Sequence, residues 1–422
     1  MDFHSRQARK VLLMATLAFA ANFSVWTLYA VMGITIRAEL NLSGTEFGLL
    51  LAAPMLTGAL LRFPVGFMCE RYSCRNIYLL QMALIIPAIL ALRWVDSYSG
   101  YIVLGLITGI SGVSFTIGIS YVSAWFESKQ QGYAMGVFGA GNAGAAISLA
   151  LTPLITRFLG WDAIGPFYAA GMTLMVILFT LFAPNETRYM KVHRDKNLWH
   201  HLAPLKQLKV WRFGLYYYFV FGSFLALLMW LPQYYMRAYK LDLEMAMALT
   251  LLFVTTSSIV RALGGWFADR YGARTVNWGV FWVCLICLFF LSYPPTKMTI
   301  FGVEKNVDLY IEVNVWVFTA LITIIGIAQG FGRASVYKII HDYFPEHMGS
   351  VGGTVATLGA MGGFTLPVLF GFAVDVIGIH TACFMLLYGL LAICMIAMHL
   401  AIKSERHEKL LQEAIANNFL KR

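Results

Sequence analysis

Apolar residues come in long unbroken runs along this chain, each about the length that crosses the hydrocarbon core of a bilayer. Runs near 11–36, 46–68, 76–93, 100–124, 133–157, 164–184, 213–236, 245–267, 275–293, 313–337, 350–374 and 380–402 predict twelve spans. Lipid offers no water to backbone N–H and C=O groups, so each run must be a helix that bonds internally. The period-two alternation of a β-barrel is absent. The longest polar stretch, "NETRYMKVHRDKNLWHHLAPLKQLKVWR" at 185–212, carries seven Lys+Arg and divides six runs from six. The expected fold is therefore all-α and integral to the membrane, with twelve transmembrane helices in two pseudo-symmetric six-helix bundles. The expected division is an N-terminal bundle at 1–184, a cytoplasmic basic linker at 185–212, a C-terminal bundle at 213–402 and a cytoplasmic tail at 403–422.

Composition agrees with this picture and narrows it. The chain is 59% hydrophobic and 12% charged, about half the charged share of a soluble domain. The basic start "MDFHSRQARK" leads into an apolar run long enough to stay as a span, so no cleaved signal is expected. Cys69, Cys74, Cys284, Cys287, Cys383 and Cys394 lie in or beside apolar runs. Cys284 and Cys287 form a C-x-x-C without a second pair or nearby histidines, which reads as packing. No metal site and no cofactor are expected.

Basic residues set the orientation. With both termini in the cytoplasm, cytoplasmic segments hold 21 of the 31 Lys+Arg and external loops hold seven: Arg37, Arg93, Arg157, Arg237, Lys240, Lys297 and Lys305. That is the positive-inside pattern, and it points to an inner or plasma membrane. It also accounts for most of the net charge of +10. Basic residues confined to short loops at helix ends make a poor nucleic-acid surface, so membrane lipid is the expected surrounding and no nucleic acid is expected.

The halves repeat. "GFMCERYSCR" from Gly66 answers "GWFADRYGAR" from Gly265, an offset of 199 residues that also relates Arg62 to Arg261 and Arg71 to Arg270. "SAWFESKQQGYAMG" answers "HDYFPEHMGSVGG", each leading to a glycine-rich span, "GVFGAGNAGAA" or "GSVGGTVATLGAMGGF". Small residues so spaced let helix backbones approach closely. A G-x-x-x-[DE]-R-x-x-x-R loop after the second span, repeated after the eighth, resembles the major facilitator superfamily. The resemblance implies a structural and gating role for Gly66, Glu70, Arg71 and Arg75, and for Gly265, Asp269, Arg270 and Arg274. The first copy departs from the common pattern at Glu70, for aspartate, and at Ser73, for glycine.

Three arginines, Arg62, Arg261 and Arg333, fall inside spans. An intramembrane arginine costs about 2.5–3.5 kcal/mol on insertion scales, so it normally faces a cavity or a partner. The span interiors contain no carboxylate; Glu46, Glu127, Glu312 and Asp375 fall at or near ends. The missing counter-ion is then the ligand, and paired planar guanidiniums suit a small oxyanion. "IRAELNLSGTEFGLLLAAPMLTGALLRFPVG", "GAGNAG" and "GAMGGFTLPVLFG" resemble the nitrate/nitrite porter family. That resemblance implies an anion clamp of Arg62 and Arg261, joined by Asn142, with aromatic walls from Phe115, Tyr217 and Phe221. It also implies alternating access by a secondary transporter rather than an enzyme, working as a monomer on a small anion.

Span 10 departs from the family at Arg333 and Ala334, where asparagine and glycine are commoner. A shift of 218 residues pairs Arg333 with Phe115, which would place a third cation at the cavity; snorkelling or pairing with Asp342 is the alternative. Lys338, one turn on, matches the family and suggests a basic inner vestibule. Several readings stay open here: exchange of one anion for another, transport of a carboxylate instead, and proton-coupled symport. A non-transporting sensor or an anion channel is the rival class.

Overall fold

A computed structural model describes residues 3–126, 131–185, 203–301, 303–344 and 348–419. Among the described residues, twelve helical segments are long and apolar enough to cross a membrane, and each coincides with a predicted run. They are spans 1 to 12: Arg6–Glu39, Gly44–Gly66, Cys74–Trp94, Tyr98–Ser123, Ala134–Leu159, Trp161–Phe182, Leu208–Ala238, Leu243–Arg261, Ala273–Leu291, Val315–Tyr343, Val351–Ile377 and Ala382–His407. Much of the linker, residues 186–202, lies outside the described residues. A single helix runs Ala382–Phe419, so span 12 continues into the tail without a break.

The 199-residue repeat is present in the backbone. Ser43 caps span 2 with a capping box in which its hydroxyl accepts from Glu46 N, and Asp242, 199 residues on, caps span 8 by accepting from Met245 N. Two residues earlier stand Asn41 and Lys240, the only non-glycine residues with positive φ among those described, at 50° and 56°. Left-handed backbone is costly for an L-residue with a side chain, so its recurrence at one repeat position means that both halves enter their second span through the same turn. The second offset recurs as well: Gly160 and Gly378, 218 residues apart, both have positive φ. At Ser73, which replaces the repeat's glycine, φ is −64°, whereas Gly272 has φ 86°. Serine there is accommodated by an ordinary backbone rather than by strain.

Spans 3 and 6 pack together, as do 9 and 12; spans 2 and 4 pair as do 8 and 10. Between the halves, span 2 lies along span 11, span 5 along span 8, and span 1 against span 7. The site therefore sits where the two bundles meet. Apolar side chains such as Leu80, Leu181, Phe289 and Ile393 remain exposed on the outward faces, as a lipid-contacting surface requires.

One element was not expected from the sequence. Between spans 9 and 10 the chain forms an antiparallel hairpin of β1 (Thr296–Ile300) and β2 (Val307–Ile311).

Candidate substrate-binding site

The helices that carry the arginines are irregular where they meet. Span 2 breaks at Leu61 and restarts at Arg62. Pro64, which has no N–H to give to the Leu60 carbonyl, accounts for the break. Span 1 breaks after Trp26, whose indole Nε1 donates to the Pro54 carbonyl at 2.9 Å. Spans 4 and 5 tighten into 3₁₀ turns at Gly109–Val113 and Ala140–Ala143. Span 7 widens into a π-helical turn at Tyr218–Gly222, a distortion found often at functional sites.

Arg62 is 1% exposed. Its Nε donates to the Gly112 carbonyl at 3.3 Å, and Nη1 to the Ala356 carbonyl of span 11 at 3.1 Å. Its guanidinium carbon lies 5.2 Å from the Trp26 ring, 5.5 Å from Phe115 and 5.7 Å from Phe221. Arg261 comes from the other half and reaches the same Phe115 ring, at 5.7 Å. Its guanidinium also lies 3.6 Å from where a Cβ on Gly139 would stand, which is van der Waals contact with span 5. Among the described residues neither arginine forms an ion pair. The two cations thus converge on one aromatic ring from opposite bundles, and among the described residues the hydrogen bonds of Arg62 go to backbone carbonyls.

The other expected residues fall nearby. Asn142 is buried in the 3₁₀ turn of span 5, which packs on span 8, and its amide Nδ2 has no hydrogen-bond partner among the described residues. Tyr217 and Phe221 stack at 5.1 Å on either side of the start of the π-turn. Gly359 and Gly362 of span 11 leave room for this pair and for the Gly222 backbone. Sequence reasoning missed Trp26 and Tyr337. Tyr337 meets the Tyr217 ring edge-on at 5.1 Å and donates to the Gly352 carbonyl at 3.2 Å. Neither carried a signal in a chain with 21 Tyr and 11 Trp.

Arg333 is fully buried, with no exposed surface. Its Nη2 donates to the Ser257 carbonyl at 2.8 Å and to the Ser257 hydroxyl at 2.7 Å, and its guanidinium lies 4.1 Å from the Phe224 ring. Ser257 stands one turn before Arg261, so Arg333 ties span 10 to span 8 just behind the clamp. Asp342 pairs instead with Lys338, which also reaches Asp269, both at 3.3 Å. Lys338 is thereby neutralised, and the basic inner vestibule expected of it is not formed by that residue.

The loop motif residues fasten helix ends within each half. Arg75 donates from Nε to the Ala183 carbonyl at 2.8 Å and from Nη2 to the Thr180 carbonyl at 2.6 Å, joining span 3 to the end of span 6. Arg274, its repeat mate, joins span 9 to the span 12 helix through Glu405 at 2.9 Å and Tyr343. Arg71 closes the helix that Arg62 opens. Arg270 lies 5.3 Å from the Trp266 ring. Gly265 faces open space, whereas a Cβ at Gly66 would lie 3.7 Å from the Thr116 methyl. The side chain of Glu70 lies outside the described residues.

The bundle interface is closed at one end. Asp375 of span 11 accepts from Gly44 N at 2.8 Å, Thr45 N at 2.7 Å and Thr45 Oγ1 at 2.6 Å. Beneath it Gly44 meets Gly371 and Gly48 meets Pro367 backbone to backbone, where no Cβ would fit. Spans 5 and 8 are joined at the same end by Arg157 and Glu244 at 3.0 Å. At the other end of the same helices Gly136, Gly265 and Gly353 have nothing within 4 Å of a Cβ position.

Two bundles of six helices around an interfacial pair of arginines are the architecture of a secondary transporter of small solutes, a multi-pass integral membrane protein and not an enzyme. The family model of the Major Facilitator Superfamily matches residues 14–304 and 307–419. The chain belongs to that superfamily and, within it, to the nitrate/nitrite porter family. It is 36% identical over 407 residues to the "Probable nitrate/nitrite antiporter NarK1" of Thermus thermophilus, covering 93% of this chain and 91% of that one. It is 26% identical over 376 residues to the "Nitrite extrusion protein" of Bacillus subtilis, covering 89% and 90%. Solved structures share the fold alone. A bacterial homolog of the human lysosomal transporter Spinster matches with a TM-score of 0.73 at 13% identity, covering 94% of this chain and 97% of that one. The human organic anion transporter MFSD10 matches with a TM-score of 0.70 at 14% identity, covering 93% and 99%.

Proposed function

We propose that this protein carries a small trigonal oxyanion of the nitrate or nitrite type across a cell's inner membrane by alternating access, exchanging one anion for another. The observation that carries the reading is the meeting of Arg62 and Arg261 on Phe115 from opposite halves without a carboxylate. Each guanidinium offers a planar fork of donors that matches two oxygens of a planar anion. The Asn142 amide adds an unpaired donor, and the Phe115, Phe221 and Trp26 rings exclude water. The names of the relatives support the choice of anion.

In this reading both termini face the cytoplasm and the Asp375 end faces outward. The described conformation is then closed outside and parted inside. The halves 1–184 and 213–402 rock as units, with 185–212 as their tether and 403–422 as a tail, and a monomer suffices because both guanidiniums come from one chain. Counterflow in proteoliposomes tests it against a panel of nitrate, nitrite, formate, acetate and phosphate. Exchange of nitrate and nitrite in preference to the rest is expected. A preference for formate or acetate would replace the substrate with a carboxylate, and no counterflow for any member would sink the transport reading.

A further inference from the structure

The hairpin between spans 9 and 10 is amphipathic in a way the transport cycle does not use. Its register pairs Thr296 with Ile311, Met298 with Leu309 and Ile300 with Val307; Lys297 pairs with Tyr310 and Thr299 with Asp308. Successive residues of a strand point to opposite faces. One face therefore holds Met298, Ile300, Val307, Leu309 and Ile311 and carries no charge. The other holds the Lys297–Asp308 ion pair at 3.1 Å and the Thr299 hydroxyl donating to Asp308 at 2.6 Å.

The five apolar residues of this face are exposed, from 40% at Leu309 to 45% at Ile300, Thr296 at its base is half-buried, and Phe301 at the tip is 82% exposed. Among the described residues, none buries this face. Two strands alone are marginal in water, and a contiguous apolar patch of this kind marks a contact surface.

The tethers say where the face rests. The span 9 helix ends at Leu291, and β1 begins at Thr296 after two prolines. Only Glu312 and Val313 separate β2 from Asn314, which caps span 10. Tyr239, just past the end of span 7, pins this base by donating to the Val313 carbonyl at 2.9 Å. The hairpin thus leaves the bundle at the level where spans end. The neighbouring exposed side chains are those of a membrane boundary: Tyr293 and Trp316 at the rim, with Phe289, Phe290 and Val317 beyond. The apolar strands thus join this belt directly along the chain, three residues after Tyr293 and five before Trp316.

We propose that the hairpin lies on the membrane, its apolar face set into the headgroup–acyl boundary of the leaflet where spans 9 and 10 emerge, and its Lys297–Asp308 face turned to water. The occupant is lipid because the face is free of charge and is flanked on both sides in the chain by the exposed aromatics Tyr293 and Trp316 at the ends of spans 9 and 10, while every charged residue of the hairpin lies on the opposite face or in the turn at Glu304 and Lys305. The physics is that of any amphipathic element at an interface. The inference rests on the twelve spans and not on the identity of the transported anion.

Spin labelling of the full-length protein in proteoliposomes tests it. The six native cysteines are all buried, so a single introduced cysteine takes the label. Met298→Cys, Val307→Cys and Leu309→Cys report the apolar face, Thr299→Cys and Tyr310→Cys the polar face, and Ile286→Cys, on an exposed side of span 9, is the lipid reference. Counterflow by each labelled variant checks that it is folded. The ratio of collisions with oxygen, which partitions into lipid, to collisions with a water-soluble nickel chelate should be several-fold higher on the apolar face and approach that of Ile286→Cys. Equal, water-like ratios on both faces would overturn the proposal, leaving the hairpin in solution. Shielding of the apolar face from both reagents would overturn it too, and spin–spin broadening at Leu309→Cys would then identify a second copy as the cover.

Discussion

Asp375→Asn should shift the carrier away from the form closed at the Asp375 end. The carboxylate accepts three hydrogen bonds from the other bundle: Gly44 N, Thr45 N and Thr45 Oγ1. Gly44 and Thr45 supply two of the four N–H groups that the first turn of span 2 cannot bond internally; Ser43 and Glu46 satisfy the other two by mutual capping. Asparagine keeps one oxygen, loses the charge and turns an N–H toward an N–H. Helix-capping substitutions cost roughly 0.5–2 kcal/mol, and charge-assisted bonds about 1.5–3 kcal/mol. Because Asp375 is exposed, the low end applies, and about 1–2 kcal/mol corresponds to roughly a 5–30-fold change in the closed-to-open ratio. Thr45→Val, which removes only the hydroxyl bond, should give a smaller shift in the same direction. Spin labels at Phe158→Cys and Met245→Cys, on exposed sites of spans 5 and 8 beside the Arg157–Glu244 pair, read the separation directly. A longer-distance population should grow in Asp375→Asn. An unchanged distance distribution, at unchanged transport, would refute the reasoning and reduce Asp375 to a helix cap.

Gly48→Ala should open the same end, because a methyl would meet the Pro367 backbone and overpacking of this kind costs about 1–3 kcal/mol; the same label pair reads it, and no change would mean the backbones part easily. Arg62→Lys and Arg261→Lys should each nearly abolish anion binding in a folded protein, since lysine keeps the charge but loses the planar fork; near-normal counterflow in either would misplace the clamp. Arg333→Asn should change relative affinities across the anion panel by altering the potential behind Arg261. Ser257→Ala should reproduce any part of that change that arises from holding span 8, and an unchanged profile in both variants would confine Arg333 to packing. Uptake of labelled anion should be stimulated by internal anion at equal pH and be insensitive to a protonophore; uptake driven by a pH gradient into anion-free vesicles would instead mean proton symport.

The sequence was most legible where one physical constraint dominates. Lipid demands a helix of set length, so all twelve spans were readable to within a few residues at most ends. An arginine in such a run demands a partner, so Arg62 and Arg261 stood out, and their distance in the chain gave no obstacle because the repeat supplied the relation. The hairpin at 296–311 was not legible, since its six-residue loop lacks the Asn-Gly or Asp-Gly signal of a tight turn and the strands are short. The π-turn at Tyr218–Gly222 was invisible for a different reason. Nothing in "YFVFG" forces it; it accompanies the close approach of Gly222 to Gly362, which exists only once span 11 is in place. Arg333 illustrates the limit from the other side. Its depth in the span was readable, but its bonds to Ser257 depend on the rotation of span 10 against span 8, which no local pattern encodes.

These contacts make binding and alternation a single problem. Arg62 belongs to the N-terminal half yet donates to the Ala356 carbonyl of the C-terminal half, and Arg261 of the C-terminal half lies against Gly139 of the N-terminal half. Each guanidinium already crosses the interface about which the bundles must rock. The protein's own links between the halves here are a carbonyl bond at 3.1 Å and ring contacts, while like charges in a low-dielectric cavity repel. A trigonal anion has an oxygen pair for each fork and cancels that repulsion, so it can hold the halves together at the pivot while the Asp375 end opens. With no carboxylate among the span interiors to take the anion's place, the loaded site is the one suited to cross. The exchange we propose would then rest on the same feature as the proposed choice of substrate, the lack of a carboxylate in the span interiors.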